Sequence, residues 1–295
     1  MNKNLLIECF SLNINLKQRV CEGGSEDVFK RMWRHALEFA GGNIAGLLGI
    51  ALFVAASRAI QGVAFRDVFM RGMPGANFPL DQSPELLNAL ASFLDIVAGA
   101  WMAVLVVRWL RNNLGGEPLG SKAELGVAVG AGLPLYVVNI FLAWAVFLLA
   151  NSGYFGWPLD LYILLYLALL AVLLPPIVYS LVRADGFWEA LNEVIAGFSR
   201  QRLAEVFRRP GFWAAFAALA LWLLIIHYYP GTRLVIERAG FGAAQYYRFL
   251  LGRGAFGLVT TLIGVPLTAA VLRAIYEEAW GRPAKASATP APADA

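Results

Sequence analysis

The stretch that decides the fold reads Arg183-Ala-Asp-Gly-Phe-Trp-Glu-Ala-Leu-Asn-Glu-Val-Ile-Ala-Gly-Phe-Ser-Arg-Gln-Arg-Leu-Ala-Glu-Val-Phe-Arg-Arg-Pro210. Phe187, Trp188, Leu191, Val194, Ile195, Phe198, Val206 and Phe207 recur at helical spacing and make an apolar stripe. Glu189, Asn192, Glu193, Arg200, Arg202 and Glu205 fall on the other face. Long apolar segments lie on either side. The spacing therefore predicts a polar-faced helix lying at a membrane surface between two spans, with five arginines marking the surface.

Composition agrees. Of 295 residues, 59% are hydrophobic and only 15% charged, against about 25% charged in a soluble domain. Nine Trp and nineteen Phe add an apolar load that one soluble core cannot hide. The expected class is all-α: a polytopic membrane helix bundle of six transmembrane helices with interfacial amphipathic helices. The net charge of +4 is explained by membrane orientation, and no nucleic-acid partner is expected.

Outward from the opening stretch, spans are expected at about 42–61, 87–110, 125–150, 159–182, 211–229 and 246–274, within a membrane domain of residues 25–280. Residues 1–24 form a tail, with both cysteines (Cys9, Cys21) and neither metal spacing nor a disulfide framework. Residues 281–295 are an Ala/Pro tail expected to be disordered. A basic amphipathic helix, Ser25–Ala40, precedes the first span; Val28, Phe29, Met32, Trp33, Ala36 and Ala40 are its stripe, and Lys30, Arg31, Arg34, His35 and Glu38 lie off it. A polar loop is expected from Phe65 to Glu85. Six spans put both termini on one side. Seven of the 24 Lys and Arg residues fall on the opposite side: Arg58, Arg66, Arg71, Arg233, Arg238, Arg248 and Arg253. The bias favours cytoplasmic N- and C-termini in a bacterial inner membrane.

The chain also reads as three units of surface helix, span out and span back. Arg108-Trp109-Leu110-Arg111, Tyr179-Ser180-Leu181-Val182-Arg183 and Arg273-Ala274-Ile275-Tyr276-Glu277-Glu278 close the returning spans. The alternative is that any hairpin membrane protein repeats arginines and aromatics at its cytoplasmic interfaces. Three segments carry a resemblance over roughly residues 25 to 280: the Phe187–Ser199 helix, Gly115-Gly116-Glu117-Pro118-Leu119, and Pro266-Leu267 with Arg273-Ala274-Ile275-Tyr276. In these the chain resembles the membrane domain of the bacterial glycerophosphodiester phosphodiesterase family and its six-span relatives. The resemblance implies a fold and no activity, because in the fused phosphodiesterases hydrolysis belongs to a separate soluble domain, and nothing of that size follows the sixth span here.

Asp95 is the most informative single residue. A carboxylate inside a span costs a few kcal/mol or more unless paired or hydrated. Arg58, at similar depth on the preceding antiparallel span, is its expected partner; a proton or ion relay through Asp95 is the competing reading. Arg248, Arg253 and His227, with Arg58, form a candidate cationic pocket for a lipid phosphate, against the commoner reading of snorkelling side chains. Pro134, Pro175, Pro176 and Pro266 each free a backbone carbonyl and are expected to kink their spans, with Asn139 placed to bond a freed carbonyl. Glu277-Glu278 reads as a solvated cap. No metal site, cofactor motif or catalytic set appears. The sequence therefore points to a non-enzymatic membrane protein: a scaffold, a lipid binder or a subunit of a membrane complex, with membrane lipids and other membrane subunits as partners. A small-solute or lipid transporter with Asp95 in its path is the alternative.

Overall fold

The computed structural model describes residues 25–71, 84–151, 158–228 and 243–281. Its described elements are eight helices: α1 (Ser25–Arg71), α2 (Pro84–Leu114), α3 (Ser121–Asn151), α4 (Pro158–Arg183), α5 (Phe187–Gly197), α6 (Arg200–Phe207), α7 (Pro210–Tyr228) and α8 (Ala243–Trp280). Five of them contain segments long and apolar enough to cross a membrane: Ile44–Gly62, Leu86–Leu114, Ser121–Leu148, Leu161–Arg183 and Gly254–Trp280. Helix α7 supplies a shorter apolar segment, Pro210–Ile225. The protein is a helical membrane bundle. The two expected tails, residues 1–24 and most of 281–295, lie outside the described residues, as do 229–242 and most of the expected 65–85 loop. Of that loop, the residues up to Arg71 continue α1 as helix, and Pro84 and Glu85 open α2.

Helices neighbouring in sequence pack as hairpins, α1 on α2, α3 on α4 and α7 on α8. The most extensive contact, however, joins the first helix to the last. It is antiparallel and keeps one register: Arg31 meets Glu278, Glu38 meets Arg273, and Val54 and Arg58 pack on Gly257. The core runs along this pair and continues through α2, α4 and α7, with Phe39, Leu47, Leu110, Val178, Phe212 and Ile275 fully or almost fully enclosed.

Helix α1 has one break. Asn43 leaves helical torsion (φ −129°, ψ 19°), directly after Gly41-Gly42, where the backbone is least stiff. Its side-chain Nδ2 donates to the Phe39 carbonyl at 2.9 Å, satisfying an acceptor that the break leaves exposed. This separates the amphipathic segment from the span where the sequence suggests, but the segment does not lie flat as a separate surface helix. It continues alongside the last turns of α8. Its stripe also divides in two. Val28, Met32, Ala36 and Phe39 are buried in the bundle, whereas Phe29, Trp33 and Leu37 face outward and run on through Ile44, Leu48 and Leu52 as one exposed apolar line.

The opening stretch forms two helices, broken at Phe198-Ser199, where the Ser199 hydroxyl accepts from the Arg202 amide. Helix α5 is not a free surface helix; it is seated on α3 and α4. Ala190 and Val194 are buried, and the Ala190 carbonyl accepts from the buried Ser180 hydroxyl at 2.9 Å. Gly130 lets α3 come so close to the Phe187 backbone that a Cβ there would overlap the Phe187 carbonyl oxygen. Gly197 does the same against Pro176, whose Cβ would lie 2.6 Å from an added methyl.

Candidate functional site: an ionic network at one end of the bundle

Charged side chains concentrate where the N-terminal turns of α1 meet the C-terminal turns of α2 and α8. Glu277 is central. Its side chain is 6% exposed, and its Oε1 accepts from Arg273 Nε at 2.9 Å. Arg273 also reaches Glu38 Oε2 at 3.3 Å and Asn113 Oδ1 at 3.2 Å, with its guanidinium carbon 5.3 Å from the centre of a Trp109 ring, a cation–π distance. Arg31 donates to Glu278 Oε1 at 2.7 Å and lies 4.0 Å from Glu277 Oε2. Arg209, at the start of α7, donates to the Glu278 carbonyl. Four helices are thereby tied together through α8.

His35 lies inside this network. Its Nδ1 is 3.2 Å from Glu38 Oε2, and its ring meets Trp109 edge-on, as does Phe39. Its Nε2 is buried without a hydrogen-bond partner, 3.6 Å from Glu277 Oε1. The sequence pattern places Arg31 and His35 off the apolar stripe, hence outward. Both instead face α8, because the last helix packs along this side of α1. Glu277 is likewise no solvated cap.

A second knot sits beside the first. Arg111 is 1% exposed. Its guanidinium donates to the Glu117 carbonyl (2.7 Å), the Ala184 carbonyl (2.6 Å) and Asp185 Oδ1 (3.1 Å). Helix α2 ends with Gly115 at φ +74° and the Gly116 amide on the Arg111 carbonyl at 2.9 Å, a Schellman closure that uses glycine's access to positive φ. A Cβ on Gly116 would lie 2.6 Å from the Val182 carbonyl oxygen, so this loop can pack on the end of α4 only as glycine. Arg108 forks onto Glu124 at 3.0 and 2.7 Å and onto Ser121; the Glu124 side chain is 2% exposed. Arg108 and Arg111, which the sequence offers as orientation markers, thus hold the α2–α3 and α4–α5 corners together.

At the opposite end of α1 and α2, Arg58 and Asp95 are close but not in direct contact. Gln61 stands between them: its Nε2 donates to Asp95 Oδ2 at 3.1 Å, and its Oε1 accepts from Arg58 NH1 at 3.1 Å. The expected pair is bridged, a correction that follows from Gln61 lying one turn beyond Arg58 on the same face. His227, Arg248 and Arg253 fall on helical backbone, but their side chains lie outside the described residues. Pro134, Pro175, Pro176 and Pro266 sit inside continuous helices; the described residue whose torsion breaks a helix is Asn43. Asn139 accepts from the Tyr162 hydroxyl at 2.7 Å and so joins α3 to α4.

The chain matches no protein-family model, no curated protein and no solved structure.

Proposed function

We propose that this protein is a non-enzymatic integral membrane protein of the bacterial inner membrane. It crosses six times with both termini cytoplasmic and serves as a scaffold, a lipid-binding protein or a subunit of a membrane complex. The observation that carries this reading is how the buried charges are used. Arg111 and Glu124 each bind a neighbouring helix or corner, and Glu277 binds Arg273 beside Arg31 and His35 of α1. Buried charge spent on cross-ties is charge not offered to a substrate. Two outward features supply a contact surface at the same end: the Phe29–Trp33–Leu37 line, with Lys30 and Arg34 beside it, and Trp188 with Ile195 on α5.

The three resemblance segments each contact the last turns of α4, which gives further support. Gly116 lies against Val182, the Ala190 carbonyl accepts from Ser180, and Tyr276 accepts from Arg183 Nε at 3.3 Å. That suits a membrane domain resembling the one in glycerophosphodiester phosphodiesterases, without their hydrolytic part. Purification in mild detergent, with mass spectrometry of the proteins and lipids that accompany the chain, tests the proposal. A reproducible protein or phospholipid companion is expected, and a clean lipid-free monomer would overturn it.

The transporter reading has one observation in its favour. Asp95 is only half-buried and takes a hydrogen bond from a neutral amide rather than a direct cation. If Asp95 carries a proton or solute, Asp95→Asn abolishes uptake into proteoliposomes while the protein still folds. Unchanged uptake would remove Asp95 from any path.

A further inference from the structure

The Arg58–Gln61–Asp95 chain lies at the end of the bundle remote from the ionic network. Arg58 is fourteen residues beyond Ile44, where the span begins, a rise of about 21 Å. That carries it most of the way across a hydrocarbon layer about 30 Å thick. Near it Leu52 on α1 and Leu90, Phe93 and Ile96 on α2 face outward, with the polar Asn88 and Ser92 among them. Arg58 itself is exposed.

Two features distinguish it from an arginine that merely snorkels. Its stem is laid against α8 at Gly257, where an added Cβ would come within 3.3 Å of Arg58 Cγ. Its head is also oriented. Gln61 presents its oxygen to the guanidinium and its nitrogen to the Asp95 carboxylate, and those two partners fix which way the amide points. Asp95 therefore sets the direction of Arg58 through Gln61. A guanidinium carries five N–H donors in a planar fork, and the described contacts of Arg58 occupy only NH1. An arginine side chain at that depth reaches toward the headgroup region, and a tetrahedral oxyanion is what such a fork binds in bidentate fashion.

We propose that Arg58 is a phosphate-binding residue, with Gln61 and Asp95 as its positioning residues, and that its ligand is a phosphate group, carried by a phospholipid headgroup or free. The proposal concerns the far end of the bundle and goes beyond the scaffold reading.

The test is thermal unfolding of the full chain in mild detergent with three additions: dihexanoyl phosphatidylglycerol, dihexanoylglycerol (which lacks phosphate) and inorganic phosphate. The expected result is a rise in Tm with the phospholipid, absent with the phosphate-free lipid and lost in Arg58→Gln. Arg58→Lys keeps the charge without the fork and should recover only part of the rise. Gln61→Leu should weaken the response while leaving Arg58 in place, which a purely structural role for Gln61 would not do. A rise with inorganic phosphate as well assigns the site to free phosphate; a rise with the phospholipid alone assigns it to a headgroup. An equal response in Arg58→Gln, or an equal response to dihexanoylglycerol, would overturn the proposal.

Discussion

His35 on the first helix turns an unpartnered Nε2 toward Glu277 Oε1 on the last, 3.6 Å away. The surroundings explain why this atom matters. Against His35 lie Glu38 from its own helix, Glu277 from α8 and Trp109 from α2; Arg31, Arg273, Glu278 and Asn113 are joined into the same network, and Arg209 binds the Glu278 carbonyl. Among the described side chains joined directly, Arg31 and Arg273 stand against Glu38, Glu277 and Glu278.

His35→Ala should loosen the joint between α1 and α8, because the edge contact with Trp109 and the Nδ1 contact with Glu38 are lost together. Thermal unfolding of wild type and His35→Ala in detergent checks it; an unchanged Tm would mean that the ring contributes nothing to the joint.

Glu277→Gln should be costly because it leaves Arg273 with a weaker acceptor in a nearly closed site. Losing one partner of a buried pair typically costs about 3–5 kcal/mol, and the retained amide should keep the loss near the lower figure. A double-mutant cycle with Arg273→Gln, read by unfolding in detergent, isolates the coupling. Simple additivity would show that the two residues do not act as a pair.

Arg111 offers a sharper case. Arg111→Met leaves two carbonyls and Asp185 without their donor, a loss on the order of 3 kcal/mol. Arg111→Lys should recover little, because a point charge cannot reach the Glu117 carbonyl, the Ala184 carbonyl and Asp185 together. A lysine variant as stable as wild type would refute this account of the corner.

Two glycines on α3 provide an internal control. Gly130→Ala drives a methyl into the Phe187 backbone and should lift α5 from its seat at a cost of about 1–3 kcal/mol. At Gly126 the nearest atom to an added Cβ is the Phe187 nitrogen at 3.5 Å, an ordinary contact, so Gly126→Ala should be tolerated. Limited trypsin digestion at Arg183 and Arg202 should accelerate in the first variant and not in the second.

The spans were legible because an unbroken apolar run has few alternatives to crossing a membrane, and the position of the first break was legible because Gly41-Gly42 marks it. The cross-ties were not. Helical spacing groups Val28 with Phe29 and Met32 with Trp33, yet neighbouring sectors of one apolar face can meet different partners, and spacing does not say which sector the bundle takes. Arg111 reads like any cytoplasmic arginine; its only signal is the Gly115-Gly116 pair that brings the chain back over it. Gln61 drew no attention because an amide near a span end has many roles, and its place between Arg58 and Asp95 depends on how α1 lies on α2.

The register of α1 on α8 has a consequence for how the chain is made. A ribosome delivers the first helix long before the last. Until then the first helix lacks its α8 partner, and Arg31 and His35 lack the Glu277–Glu278 side of their setting. The early chain must keep this face in a temporary state, shielded by lipid, by water at the headgroups or by an insertion chaperone. Assembly is therefore completed from the far end of the gene, and a truncation removing only the final turns of α8 would strand the first helix rather than merely shorten the last.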